Sequence, residues 1–234
     1  MPIKAVEPQR LYRRIAEQIA RLIKRGEYRP GQRLPPERDL ARLLNVSRPS
    51  VREALIALEV EGHVEVRVGS GVYVTQPMAK GVEPLPADSG PFELITARRL
   101  LESECAGLAA RHATPAQIKR MQGALAAMRR DRRHSLMPLA NDRLFHLEIA
   151  DASANSALAL AVRTLWDQRA GPLFTRLEHH FDTPALWEAA IAEHQAVMTA
   201  IAAHDVVGAK AAMRRHMDAA AKRFQRSWSA GAPR

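Results

Sequence analysis

Cysteine, aromatic side chains and long uncharged runs are all scarce in this chain of 234 residues. The one cysteine, Cys105, excludes an internal disulfide and suits a reducing compartment. Its apolar helical neighbours predict a core position. Aromatics are 5% of the chain against 47% hydrophobic residues, a balance that suits helices rich in Ala and Leu. No uncharged run approaches the roughly 20 residues needed to cross a bilayer, and the opening MPIKAVEPQR has no apolar signal core. A soluble, cytoplasmic protein with no membrane partner is therefore expected. Positive charge is abundant: the net charge is +10, with 14 Lys+Arg against 9 Asp+Glu in residues 1–77 and 21 against 16 in the remainder. That balance agrees with a nucleic-acid partner without showing which end binds it.

The densest pattern runs from Leu34 to Thr75. Glu37–Leu44 has helical spacing with Leu40, Leu43 and Leu44 on one apolar face. Asn45 suits a left-handed stop, Ser47 an N-cap, and Pro49 the first turn of a following helix. Val51, Ala54, Leu55 and Leu58 form that helix's buried stripe, and Arg48, Ser50 and Arg52 are expected to project away from it. This is the end of a recognition helix that meets base edges, where an arginine fork pairs with O6 and N7 of guanine. From His63 to Thr75, Val64, Val66 and Val68 alternate with charged residues. Gly69-Ser70-Gly71 then make a turn, and Val72 and Val74 return. A hairpin with an unhindered tip brings its backbone close to phosphate or enters the minor groove. Upstream, Arg10–Tyr28 has helical periodicity through Leu11, Ile15, Ile19, Leu22 and Ile23. The basic residues along it are ordinary solvated charges, one or two of which can hold phosphate.

The series RLYRRIAEQIARLIKRGEY, PGQRLPPERDLARLLNVSRPSVREALIALEVEG and GSGVYV resembles the GntR family of bacterial transcription regulators over roughly residues 8–76. The resemblance implies that Arg38, Ser47, Arg48, Ser50, Arg52 and the wing glycine Gly69 contact DNA, with Ser70 and Gly71 beside it in the wing tip.

Beyond the hairpin, Pro77, Pro84, Pro86 and Pro91 with Gly81 and Gly90 mark a linker. The expected organisation is a winged helix-turn-helix over 1–76, a linker over 77–91, an all-helical antiparallel bundle over 92–228 and a tail over 229–234. The fold class is thus mainly α. Breaks near Thr114-Pro115, Met137-Pro138, Gly171-Pro172, Thr183-Pro184 and His204-Asp205 predict about six helices in the second domain. Eight of the nine histidines lie there. Asp142 and His146 are four apart on an inward face. His194 and His216 each sit on an apolar stripe, eleven residues before and eleven after a turn centred on Asp205, which in a helical hairpin puts them at one height. Each histidine alone is better accounted for as a hydrogen-bonded core residue. Together, three nitrogens and a carboxylate suit a divalent transition metal, zinc first, with nickel or manganese as alternatives. Adjacent His179 and His180 point about 100° apart and are assigned to a rim or surface. His112, His134 and His204 are assigned to surfaces or helix ends, and Asn155 to a helix cap.

Residues 92–224 resemble the effector domain of the FadR-type branch, the FCD domain, many members of which bind a metal through an Asp and three His. The matching positions are Asp142, His146, His194 and His216. The resemblance implies small carboxylate effectors, and it places Arg98, four residues before Glu102 in TARRLLESE, in the cavity. A salt bridge from Arg98 to Glu102 along the helix is the competing assignment. GPFELITARRLLES, ANSALALAV, LWDQR and LEHHFD are similar to the hexuronate-utilisation repressors, which implies a sugar acid. The resulting expectation is a homodimeric regulator on palindromic operator DNA, a repressor released by a small carboxylate. The same regulator answering another organic acid, or acting as an activator, is the alternative. An enzyme using the metal as Lewis acid is the rival class, disfavoured because no general base stands at a motif-like spacing. A third reading keeps the helical domain as a dimerisation module with neutral buried histidines.

Overall fold

The computed structural model describes residues 11–67, 70–75, 90–170 and 184–229, and the chain divides into two compact units, one up to Phe92 and one built from the helices that follow.

The first unit contains α1 (Leu11–Lys24), α2 (Glu37–Leu44), α3 (Arg48–Val60), β1 (Val64–Arg67) and β2 (Gly71–Val74). Tyr12, Ile15, Ala16 and Ile19 of α1 are buried, and α1 packs against α3, whose Val51, Ala54, Leu55 and Leu58 form the centre of this small core. α1 ends before the expected Tyr28 because Gly26 turns left-handed (φ 78°) and returns its N–H to Ile23 O. The α2–α3 turn follows the local chemistry. Asn45 adopts φ 51°, ψ 48°, and the Ser47 hydroxyl accepts the Ser50 N–H at 3.3 Å. One expectation is corrected: Leu43 does not share the apolar face of α2 but is 70% exposed, and Leu40 and Ala41 make the inward stripe instead.

β1 and β2 pair antiparallel, Val64 opposite Val74 and Val66 opposite Val72. A third extended segment braces the hairpin. Gly31 N–H reaches Val74 O, Val74 N–H reaches Gln32 O and Leu34 N–H reaches Val72 O, at 2.8–2.9 Å. Gly71 opens β2 rather than closing the turn. Its φ of +122° is a conformation that L side chains rarely adopt, and a Cβ there would also displace the Arg33 guanidinium, 2.5 Å away.

Among the described residues, the second unit contains α4 (Pro91–His112), α5 (Pro115–Arg133), α6 (Leu139–Asp151), α7 (Ser156–Asp167) with a 3-10 turn over Gln168–Ala170, α8 (Pro184–Ala202) and α9 (Val206–Ser229). Thr114 and Gln117 form a reciprocal capping box with Pro115 at the first turn of α5. Between the expected breaks near Pro138 and Gly171, the chain also divides at Ala152–Asn155. Ala154 is left-handed (φ 56°), and Asn155 Oδ1 accepts the N–H groups of Ala157 and Leu158, both at 3.1 Å. Asn155 is therefore a cap. Asp205 starts α9 in the same way, accepting Gly208 N–H at 2.8 Å. Small and unbranched residues fill the core: Ala106, Ala109, Ala110, Met121, Met128, Met213 and Met217 pack around Phe145 and Ile149. Alanines let helix backbones approach closely, and the flexible methionines fill the irregular gaps. Cys105 belongs to this core, where burial pushes its thiol up to about 12.

Candidate metal centre and nucleic-acid interface

One turn of α6 places Asp142 and His146 on the same inward face, as their spacing requires. α8 brings His194 and α9 brings His216 to meet them. The expectation from equal distances to Asp205 is met: the His194 and His216 ring centroids are 4.2 Å apart, and those of His146 and His216 5.2 Å. All four side chains are buried. His194 Nε2 lies 3.1 Å from His146 Nε2 and 3.0 Å from Asp142 Oδ1, and His146 Nε2 lies 3.7 Å from the same oxygen. One nitrogen from each of the three imidazoles falls within a 4.8 Å cluster able to hold a metal ion.

The surroundings decide which nitrogens face inward. His146 Nδ1 contacts Glu102 Oε2, and His216 Nδ1 lies 2.9 Å from Glu193 Oε2. A ligating histidine characteristically gives its other N–H to a carboxylate, which fixes the tautomer and leaves Nε2 as the donor. Glu193 is itself clamped by Arg223 through bonds of 2.7 and 2.9 Å. His194 Nδ1 is buried without a hydrogen-bond partner among the described residues. Nitrogen and oxygen donors on three helices, with two imidazoles oriented from behind, fit a borderline-soft divalent cation.

Electrostatics keep the set ready to ligate. Burial lowers the His216 pKa to about 3, helped by its imidazole neighbours, and burial also lowers that of His146 despite the opposing Glu102 carboxylate. Burial opposes ionisation of Asp142, Glu102 and Glu193. Contacts with His194 (Asp142), Arg98 and His146 (Glu102), and His216 and Arg223 (Glu193) outweigh it, and all three carboxyls sit below their ordinary values. The consequence for pH has one sign. The unfolded chain takes up protons on these histidines near 6.5, where the folded chain refuses them, so protonation favours unfolding. Stability of the metal-free protein is expected to be full above 6.5, to fall as pH drops towards 3, and to fall further as the carboxylates protonate. Thermal unfolding in chelator across pH 7.5 to 4 checks this. A flat profile over that range contradicts it.

Of the two roles weighed for Arg98 from the sequence, the structure forms the salt bridge to Glu102. Arg98 is buried beside the centre, and its Nε donates to Glu102 Oε1 at 2.6 Å. Its guanidinium lies 3.8 Å from the Trp166 ring centroid, and that of Arg169 lies 4.4 Å from the same ring. Arg169 donates to Asp142 Oδ2 at 3.4 Å. Sequence reasoning missed the parts played by Trp166, Arg169, Glu193 and Arg223, because each acts on a residue of another helix. The i,i+4 spacing of Arg98 and Glu102 was the only local signal. His112 and His134 are exposed, and His204 ends α8, bonding Ala110 O at 2.8 Å. His179 and His180 lie outside the described residues.

At the other unit, Arg38 and Arg48 are exposed on α2 and α3, with Ser47 exposed and Ser50 half-buried between them. The two serine hydroxyls are 2.8 Å apart. Arg48 rests on Glu37 through one 3.2 Å contact. Arg52 does not project as expected. It is 4% exposed and closes on Glu37 through three contacts of 2.8–3.0 Å, because its position turns towards α2 rather than outward. At the wing, Ser70 is exposed with its hydroxyl 2.6 Å from Tyr73 Oη, and Arg67 lies over the Tyr73 ring. Gly69 lies outside the described residues.

A winged helix-turn-helix preceding a helical unit defines a class of DNA-binding regulators, and the comparisons agree. Residues 11–74 match the model of bacterial regulatory proteins of the gntR family and residues 93–219 that of the FCD domain. The chain belongs to the GntR family, in its FCD-containing form, and is a transcriptional regulator. It is 39% identical to the Uxu operon transcriptional regulator of Escherichia coli K12, over 92% of this chain and 86% of that one. It is 36% identical to the Exu regulon transcriptional regulator of the same strain, over 92% and 85%. Among solved structures, a GntR protein of Streptococcus agalactiae aligns over 90% of this chain and 99% of its own, with TM-score 0.50 and 25% identity. The E. coli protein McbR/YncC aligns over 93% and 98%, with TM-score 0.52 and 23% identity, a likeness of fold. These relatives and families are regulators, not enzymes. No described helix is long and apolar enough to cross a membrane.

Proposed function

We propose that this regulator is a homodimeric repressor that leaves its operator when a small sugar acid binds at a divalent metal held by Asp142, His146, His194 and His216, zinc being the first choice of ion and nickel or manganese the alternatives. The observation that carries the reading is the charge of the buried cluster. Among the described residues, Arg98 pairs with Glu102, Arg169 with Asp142 and Arg223 with Glu193, and burial disfavours protonation of His146 and His216. A divalent ion therefore adds positive charge away from water. Such a charge is costly unless an anion joins it. A carboxylate with a neighbouring hydroxyl can ligate the metal and take charge-assisted bonds from Arg98. Similarity to the Uxu and Exu regulators, with the resemblance to hexuronate-utilisation repressors, supports a sugar acid such as galacturonate or glucuronate.

On DNA, the proposed contacts are Arg38, Ser47, Arg48 and Ser50, with the wing tip of Gly69, Ser70 and Gly71 at the backbone. Arg52 joins them only by giving up Glu37 for a phosphate or base. Two copies would present two such helices to a palindromic operator. Release requires that the acid prefer the conformation with the weaker grip on DNA. The test is operator binding in a gel-shift assay, with each acid titrated onto zinc-loaded and metal-stripped full-length protein. Release by a hexuronate from the zinc-loaded form alone is expected. Binding unaffected by either acid in both forms overturns the effector reading.

A further inference from the structure

Glu102, 1% exposed in the middle of α4, divides its two oxygens between two clients. Oε1 accepts Arg98 Nε at 2.6 Å and Trp166 Nε1 at 3.1 Å, while Oε2 faces His146 Nδ1. Trp166 serves both sides of the pair, since its N–H holds the carboxylate while its ring lies under the Arg98 guanidinium. Glu193, the carboxylate behind His216, is arranged differently, because its charge partner Arg223 comes from the same helix as His216 itself.

We propose that Glu102 is a positioning residue that ties Arg98 to the metal: it aims the His146 lone pair, and the state of Arg98 sets how well it does so. This rests on the reading that a metal occupies the histidine cluster. His146 can direct Nε2 to the centre only if its Nδ1–H is held, and Glu102 is the carboxylate that faces that nitrogen. Arg98 and Trp166 fix the carboxylate in turn. An anion that engages Arg98 draws guanidinium hydrogen bonding away from Oε1. Oε2 then becomes the stronger acceptor, His146 the more basic ligand, and the metal is held more tightly. Acid and metal bind with positive coupling, and linkage makes the effect reciprocal.

The test needs no acid. Zinc affinity is measured by competition with a chromophoric chelator on full-length wild type, Glu102→Gln, Arg98→Met, the double variant, and Glu193→Gln with and without Arg98→Met. Glu102→Gln is expected to weaken zinc binding by about 10- to 100-fold, the scale of losses for outer partners of metal ligands. Arg98→Met, which frees Oε1 altogether, should tighten it, although Arg98 touches no ligand nitrogen. The two changes together should match Glu102→Gln alone, because without the carboxylate Arg98 has nothing to act through, whereas Arg98→Met and Glu193→Gln should add in full. Trp166→Phe removes one donor to Oε1 and replaces Arg98→Met if that variant does not fold. Wild-type affinity in Glu102→Gln, or full additivity of its effect with that of Arg98→Met or Trp166→Phe, overturns the proposal. A wild type that takes up no zinc defeats the metal reading itself.

Discussion

Replacing His194 with Ala is expected to lower zinc affinity by at least two orders of magnitude and to cut the response of thermal stability to chelator by about two thirds or more. His194 is fully buried, its Nε2 lies 3.0 Å from Asp142 Oδ1 and 3.1 Å from His146 Nε2, and its Nδ1 has no hydrogen-bond partner among the described residues, so removing the ring takes a central donor out of the cluster. A structural four-ligand zinc site is worth ~10–16 kcal/mol, so one ligand carries ~3 kcal/mol, roughly a hundredfold. In wild type at a metal concentration of about 1,000 times Kd, binding contributes ~4 kcal/mol to stability. For a protein of this size, EDTA should then lower Tm by ~8–16 °C. In His194→Ala the same metal is only about 10 times Kd, worth ~1.4 kcal/mol, so the shift should shrink to ~3–6 °C or less. Elemental analysis and paired melts with and without EDTA check both results. An EDTA-insensitive wild type without metal would leave the histidines as plain core residues.

Arg48→Ala should weaken specific operator binding by ~1–3 kcal/mol, or roughly 5- to 150-fold, and relax discrimination at one base position of each half-site. In the free protein Arg48 is 59% exposed, and its contact with Glu37 is a surface pair worth ~0.2–1 kcal/mol, so a guanine can capture the guanidinium at small cost. Arg52 makes a poorer probe despite its place in the same helix. Its pair with Glu37 is buried, and breaking such a pair costs ~3–5 kcal/mol of fold stability, which would mask any effect on DNA. Arg38→Ala supplies the contrast. If Arg38 meets phosphate, affinity falls uniformly across sequences and the salt dependence becomes shallower. Gel-shift titrations against the operator and single-base variants separate the two patterns. Wild-type affinity and selectivity in Arg48→Ala would remove α3 as the reading helix.

Much of the architecture was legible because its causes act over a few residues. Asn45 and Ser47 bound the helix-turn-helix by backbone conformation and a cap. Thr114, Pro115 and Gln117 start α5 in the same way, and the glycine-containing tip with alternating valines makes the wing. That Asp142, His146, His194 and His216 meet was legible for a related reason: an i,i+4 pair and two histidines at matched distances from Asp205 depend only on helix pitch. The break at Ala152–Asn155 was not used, although Asn155 was read as a cap, because no proline or glycine marks it.

What the sequence determined by itself is therefore the order of elements, the ends of most helices and the inward faces that bear Asp142, His146, His194 and His216, since periodicity and capping are local. What only the tertiary structure decided is which charges meet across helices: Glu102 shared by Arg98, Trp166 and His146, Glu193 behind His216, Arg169 on Asp142, and Arg52 folded onto Glu37 instead of reaching outward. Those pairings depend on the rotation and spacing of helices packed against one another. A buried charge takes whichever partner that packing brings within reach, and no spacing along the chain encodes it.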